Sequence, residues 1–250
     1  MRELRYRAIA GDLRRQIEAK EFATGRLLSS EAELSAAYGA SRVTVRKALE
    51  ELRGDGLVES RQGYGWFVAV DPLRQTLGRL GTIEAQLEAS GVRADRRVLD
   101  FGFVRAPDRV AGLLGLEEGG TVLRVRRLNL ADGAPFARVT VWATEEFGAG
   151  LSRDDVERRS FYDFLAGSGR GVGTAVQTIG AAAAGAQDAR VLDVPVGSPV
   201  LRCERVTCDR SGAPLLVAEH VFPALRTEFV VELPNLANDS IAPSGLRLVE

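Results

Sequence analysis

The sequence predicts an α+β protein in two parts: a small head of three helices and a β-hairpin, then a larger domain built on an antiparallel sheet. Three observations carry this. Between Tyr6 and Gly56, apolar residues recur at helical spacing in three runs separated by glycine- and serine-containing breaks. Residues 57–70 read strand, glycine turn, strand. From about residue 82 the chain repeats its own pattern at an offset of 78 residues. The expected division is a head over 1–70, a linker over 71–75 opened by Asp71-Pro72, and the second domain over 76–250.

The totals bound the reading. A chain of 250 residues, 45% hydrophobic and 27% charged, can bury a sizeable core and has the balance of an ordinary globular protein. It holds no apolar run of about 18 or more residues, so no membrane partner is expected. Its opening, MRELRYRAIAGDLRR, is charged and periodic, unlike a secretory signal. Cys203 and Cys208 stand five apart along one β-like segment and so point to opposite faces, which disfavours a bridge. These features lead us to expect a reducing, cytoplasmic setting. Net charge is −1, but residues 1–70 carry 12 Lys+Arg against 10 Asp+Glu. That asymmetry is weak, so any nucleic-acid reading rests on where the basic residues sit.

In the head, Ile9, Leu13 and Ile17 fall one turn apart and predict a helix from Tyr6 to about Lys20. Ser30-Glu-Ala-Glu33 reads as a capping box opening a short helix to Tyr38, with Gly39 as its stop. In the stretch Ser41–Leu52, Val45, Ala48, Leu49 and Leu52 form one face of a third helix. Segments 57–60 and 66–70 then form a hairpin around the glycine-rich turn 61–65. Helix, tight turn, helix and hairpin in this order make a winged helix-turn-helix, whose third helix enters the major groove of double-stranded DNA. Ser41, Arg42 and Thr44 lie at that helix's N-terminus, where free N–H groups also favour phosphate. Arg42 and Arg46 are the candidates for bidentate contact with guanine, and Lys47 extends the basic side. Gly63, Tyr64 and Gly65 form the wing tip, where glycine permits close approach to the backbone of DNA.

The residues YRAIA (6–10), LSSEAEL (28–34), GASRVTVRKAL (39–49), DGLV (55–58) and GYGWFV (63–68) closely resemble the DNA-binding domain of GntR-type bacterial transcription regulators. The resemblance covers residues 6–70 almost without gaps. It implies that Ser41, Arg42, Thr44, Arg46, Gly63 and Gly65 carry DNA contacts. Two positions depart from the family pattern: Ser29 replaces a usual Pro, and Ala32 replaces an Arg that often contacts DNA.

In the second domain, TIEAQLEASG (82–91) aligns with SFYDFLAGSG (160–169), and AGLLGLEEGGTVLRVRR (111–127) with ARVLDVPVGSPVLRCER (189–205). Each copy predicts a helix (82–90; 160–167), a strand (96–104; 173–182), a short helix (107–114; 185–192) and a hairpin (121–130 with 136–143; 199–208 with 215–222). Two such copies are expected to form a sheet covered by helices on one face. Thr82 and Ser160 occupy equivalent helix starts, where a hydroxyl and free N–H groups suit an anion. Along 121–130, Leu123, Val125, Arg127 and Asn129 share one face, and Arg124 and Arg126 the other. Arg127 therefore points inward with the apolar residues and needs an internal carboxylate or a bound anion. Arg205 is its repeat equivalent, on the face of Leu201 and Cys203.

This half is similar to the UTRA effector-binding domain of the HutC subfamily, which has a chorismate-lyase-like fold. The residues that carry the similarity are GTIE (81–84), RRLNLADGAP (126–135), SFY (160–162) and LDVPVGSPVL (192–201). It implies binding of a small anionic metabolite (a phosphorylated, phosphonate or carboxylate compound) by Gly81, Thr82, Arg127, Ser160 and Tyr162. Here too the chain departs from the pattern. Asn129 stands where an Arg is common, Val139 where amino-sugar-phosphate sensors place a Glu, and Leu216 and Phe222 where the last hairpin has Glu and Tyr. The hydroxyl-binding end reads as apolar, and an amino-sugar phosphate is disfavoured. His220, the single histidine, alternates onto the face of Leu216, Ala218 and Phe222 and is expected to be packed.

The leading expectation is a ligand-responsive transcription repressor that binds a palindromic operator as a homodimer. No cofactor, metal site or catalytic residue is expected, because no nucleophile–base pair, clustered ligand set or phosphate loop is present in the sequence. A DNA-binding protein with a vestigial pocket, and a lyase-like enzyme suggested by the fold, remain as competing readings.

Overall fold

The computed structural model describes residues 2–19, 21–22, 27–61, 63–69, 73–77, 82, 84, 87–88, 91–167 and 171–231. In the head, α1 (Arg2–Glu18), α2 (Glu31–Ala37) and α3 (Arg42–Gly54) pack around one apolar cluster. Ile9, Ala10 and Leu13 meet Leu34 and the fully buried stripe Val45, Ala48, Leu49 and Leu52, and Val58, Trp66 and Val68 close the cluster from the hairpin. The capping box opens α2 as expected: Ser30 Oγ accepts from the Glu33 N–H at 3.2 Å, and the Ser30 N–H donates to the Glu33 carboxylate at 2.8 Å. Gly39, at φ 55°, turns the chain from α2 toward α3. Strands β1 (Val58–Arg61) and β2 (Gly65–Val68) pair antiparallel, with Val58 opposite Val68 and Arg61 opposite Gly65.

The segment read as a linker is ordered in part. Leu73–Leu77 forms β3, which pairs in parallel with the last described strand, Thr227–Val231. Leu73 and Phe229 pack against the second domain's core, so burial rather than tether length decides the role of Leu73. Asp71 and Pro72 lie outside the described residues.

The second domain is a six-stranded antiparallel sheet. Its strands are β4 (Ala94–Arg105), β5 (Thr121–Ala131), β6 (Ala134–Thr144), β7 (Val172–Ala183), β8 (Pro199–Asp209) and β9 (Pro214–Pro223). Their order across the sheet is β4-β5-β6-β9-β8-β7. That order is the repeat made visible: the two copies meet at the β6–β9 seam, where Val141 faces Ala218. Among the described residues the helices with assigned bounds that accompany the sheet are α4 (Asp108–Leu114), α5 (Glu145–Gly148), α6 (Arg153–Arg158), α7 (Phe161–Gly167) and α8 (Ala186–Leu192). Of the helix predicted over 82–90, Glu84, Leu87 and Glu88 are helical and Thr82 is not; Gly81 and the remaining positions lie outside the described residues.

Helices cover both faces of the sheet, not one. On the front face, Leu123, Val125, Val139 and Val141 pack with Leu87, Phe147, Val156, Phe161 and Leu165. On the back face, Val110, Ala111 and Leu114 of α4 pack on Val122, Trp142 and Val217, while Ala189 and Leu192 of α8 pack on Leu128, Val200 and Val221. On its back side β5 carries Val122 and Leu128 with Arg124 and Arg126 between them, so α4 and α8 cover its two apolar ends while the arginines stay half-buried. Each crossover helix also rests on a strand of the other copy, α4 on β9 and α8 on β6. Buried charge fixes α8 in place: Arg138 donates to both oxygens of Asp188 at 2.8 and 3.2 Å, and to Glu219 at 2.6 Å. Cys203 is buried and Cys208 half-buried, and both thiols are free.

Candidate nucleic-acid interface and effector pocket

Ser41 caps α3 with extended backbone, its Oγ accepting from the Thr44 N–H at 3.2 Å and lying 2.8 Å from the Thr44 hydroxyl. The basic residues that follow are exposed but not equivalent. Among the described residues the Arg42 side chain makes no hydrogen bond; it is exposed and acts on Glu31 only through its charge. Arg46 is held by Glu31 of α2 through a two-pronged ion pair, Nε at 2.9 Å and Nη2 at 2.6 Å. The Trp66 indole N–H of β2 donates to the same carboxylate at 3.2 Å. That pairing lowers the Glu31 carboxyl below its ordinary range and raises the Arg46 guanidinium. Lys47 turns the other way, its ammonium 4.1 Å from the centre of the Tyr6 ring on α1. At the wing, Gly63, Tyr64 and Gly65 are all exposed, and both glycines hold left-handed φ angles of 81° and 100°. A side chain at Gly65 would be strained there and would press on Leu27.

Glu31 is the partner of Arg46 that sequence reading missed. It sits 15 positions before Arg46, and only the packing of α2 against α3 brings them together.

The effector candidates lie on the front face. Val98, Arg127, Val139, His220 and Cys203 are successive cross-strand partners, and the next row runs Val125, Val141, Ala218, Arg205. Arg127 and Arg205 thus stand diagonally across the β6–β9 seam, three strand spacings across and two residues along, or about 16 Å apart at the backbone.

Arg127 is 6% exposed, donates Nη1–H to the Val156 carbonyl at 2.9 Å, and lies over the Phe161 ring at 5.1 Å. Its Nε has no hydrogen-bond partner among the described residues. Burial holds its guanidinium down to about 10, against the opposing pull of Glu84. Glu84 is itself committed elsewhere, to Arg96 at 3.0 Å and to the Asn129 amide at 2.7 Å. Among the described residues, the inward arginine therefore has no hydrogen bond to the internal carboxylate it called for. Arg205 likewise meets neutral groups, donating to Gln177 at 2.7 Å and to the Tyr162 hydroxyl at 3.0 Å. Between them His220 stacks on Phe222, its centroid 5.8 Å away, and is pushed down to about 3 by burial and by Arg205 and Arg127.

The helix-start hydroxyl is engaged differently from the expectation. Ser160 is buried, its Oγ accepts from the Asp163 N–H at 3.1 Å, and its own N–H donates to the Asp163 carboxylate at 2.9 Å. That cap places a carboxylate at the start of α7, so Ser160 offers an anion less than its position suggested. Thr82 is half-buried and is itself neither helical nor in a strand. Val139, Leu216 and Phe222 are all core residues, as their apolar character implied.

A model of the gntR family of bacterial regulatory proteins matches residues 5–68, and a UTRA-domain model matches residues 89–228. The chain belongs to the GntR family. Among relatives of this GntR chain, an HTH-type transcriptional regulator of Mycobacterium tuberculosis, Rv0792c, is 34% identical over 97% of the chain and 89% of its own length. The repressor NagR of Bacillus subtilis is 27% identical over 93% of the chain and 96% of its own length. The crystal structure of PhnF from Mycobacterium smegmatis superposes with a TM-score of 0.63 at 27% identity, covering 90% of this chain and 99% of that one. This GntR-family protein is a ligand-responsive transcription regulator with a winged helix-turn-helix head and a UTRA effector domain.

Proposed function

We propose that this regulator is a repressor that binds a palindromic operator as a homodimer, and that a small anion held on the front face of the sheet releases or repositions it. What supports the anion is the contrast between two equally buried arginines. Arg138 is met by two carboxylates; among the described residues Arg127 hydrogen-bonds one carbonyl, lies over one ring, keeps an unsatisfied Nε and feels Glu84 only through its charge. A guanidinium in that state is costly unless an anion completes it. Arg205, across the seam, supplies a second cation, and the neutral His220 floor adds no competing charge. The closed apolar packing at Val139, Leu216 and Phe222 favours a compact phosphonate, phosphorylated compound or carboxylate over an amino-sugar phosphate. The chain acts by binding rather than turnover: His220 is held neutral, and burial pushes the Cys203 thiol up to about 12, so neither is an activated group. Its target, DNA, places this work in the cytoplasm.

A homodimer is supported by strand β7. It is an edge strand of 12 residues, VGTAVQTIGAAA, without charge or proline, and Val176 is 69% exposed on it. The opposite edge, β4, is studded with Asp95, Arg96, Arg97, Asp100 and Arg105. Edge strands are ordinarily protected by charge, proline or cover, so an uncharged one suits pairing with a second copy.

The test of this reading is a titration of operator-bound protein with inorganic phosphate, a small phosphonate and small carboxylates. Operator affinity should fall with at least one of them, because a ligand shifts the equilibrium by its differential affinity for the two states. Arg127→Met should bind operator as the parent does and lose that response. A variant that keeps the full response removes Arg127 from the site. Absence of any salt-dependent preference for DNA from the protein's own promoter overturns the repressor reading itself.

A further inference from the structure

We propose that Val43 reads a thymine C5-methyl group in each operator half-site, a base contact separate from those of the arginines. This rests on the DNA-binding reading above. Val43 is 80% exposed, the most exposed large hydrophobic side chain among the described residues, while Val45 two residues on is fully buried. A lone exposed valine is unremarkable in itself; its position is what singles it out. At about 100° per residue, Val43 lies about 170° around α3 from the centre of the buried stripe, so it projects more directly away from the head's core than Arg42 or Arg46 does. It is the second residue after the Ser41 cap, in the turn that a helix-turn-helix presents to base edges. Its neighbours are pulled aside: Arg46 toward Glu31 on one flank and Lys47 toward Tyr6 on the other. The foremost side chain of the reading face is therefore a valine.

Valine there returns no burial to the fold and costs helix propensity, because β-branching restricts its χ1. The same restriction fixes its two methyl groups before binding, so little entropy is lost on contact. The apolar feature displayed on the base edges of the major groove is the thymine methyl. Arg46 is one turn along the helix, so the thymine falls within one or two base pairs of the guanine that Arg46 addresses.

The experiment selects binding duplexes from a random pool with the full chain, then replaces each thymine of the recovered half-site singly by deoxyuridine, which removes the methyl and leaves pairing intact. One position should weaken binding about fourfold, the worth of one buried methyl group. Val43→Ser, at an exposed site that leaves the head's core untouched, should bind the thymine and deoxyuridine duplexes equally. If no thymine shows a penalty, or if the serine variant keeps it, the Val43 contact is overturned while the operator reading stands. If no sequence is enriched at all, the operator reading falls and the contact with it.

Discussion

At the residue scale, the basic side of α3 was legible and its division of labour was not. Periodicity placed Arg42, Arg46 and Lys47 off the buried stripe, where all three are exposed. Their partners, Glu31 and Tyr6, come from other helices, and no spacing rule within α3 could supply them. Glu31 joins Arg46 to the Trp66 indole, so one carboxylate ties α2, α3 and the wing together. Two N–H groups of Arg46 are spent on it, which leaves its other N–H groups able to donate elsewhere. Arg46→Ala should cost about 1–3 kcal/mol of base discrimination, read by anisotropy titration on matched and mismatched duplexes. Glu31→Ala should cost less, and the double variant no more than Arg46→Ala alone, if the carboxylate acts by aiming the guanidinium. His220 gives a second outcome at this scale. Its folded value of about 3 lies below the ordinary 6.5, so the unfolded chain takes up the proton first as pH falls. Its contribution to stability is complete above about pH 6.5 and is lost between there and about pH 3. The parent's unfolding free energy, from denaturant titrations, should drop across that window with a slope of up to about 1.4 kcal/mol per pH unit from this group. His220→Gln should show a shallower drop, and equal slopes would exclude His220 as the source.

At the element scale, the hairpins and the repeat were readable because strand alternation, turn glycines and length are all local signals. The predicted pairs 121–130 with 136–143 and 199–208 with 215–222 match β5–β6 and β8–β9 to within a few residues. Which face each helix would cover was misjudged, because an amphipathic helix does not encode the side of the sheet it will meet. The clue lay in β5, where Val122 and Leu128 face away from Leu123 and Val125, so each side offers apolar residues for a helix to cover. The ordering of Leu73–Leu77 was likewise invisible, since its partner strand lies some 150 residues onward. The element with the clearest expected behaviour is β7. Val176→Lys would set like charges near the dyad of a β7–β7 pairing, and sedimentation should show monomer at concentrations where the parent is dimeric. A variant that stays fully dimeric would place the interface elsewhere.

At the scale of the whole molecule, the head and the UTRA domain each assemble around their own apolar core, which is why both were recognisable from sequence. What the sequence left open was the state of Arg127, because its surroundings are drawn from α6, α7 and a strand of each copy. The largest consequence comes from the crossover helices, α4 resting on β9 and α8 on β6. Neither half of the duplicated sequence owns a complete hydrophobic layer. Each is finished by its twin, so the two halves melt and form together as one cooperative body, despite being written one after the other. An anion gripped by Arg127 and Arg205 would clasp that body across its seam, one hand from each twin. Its presence would then be felt by the entire domain at once, as a change in how tightly two interlocked halves hold each other.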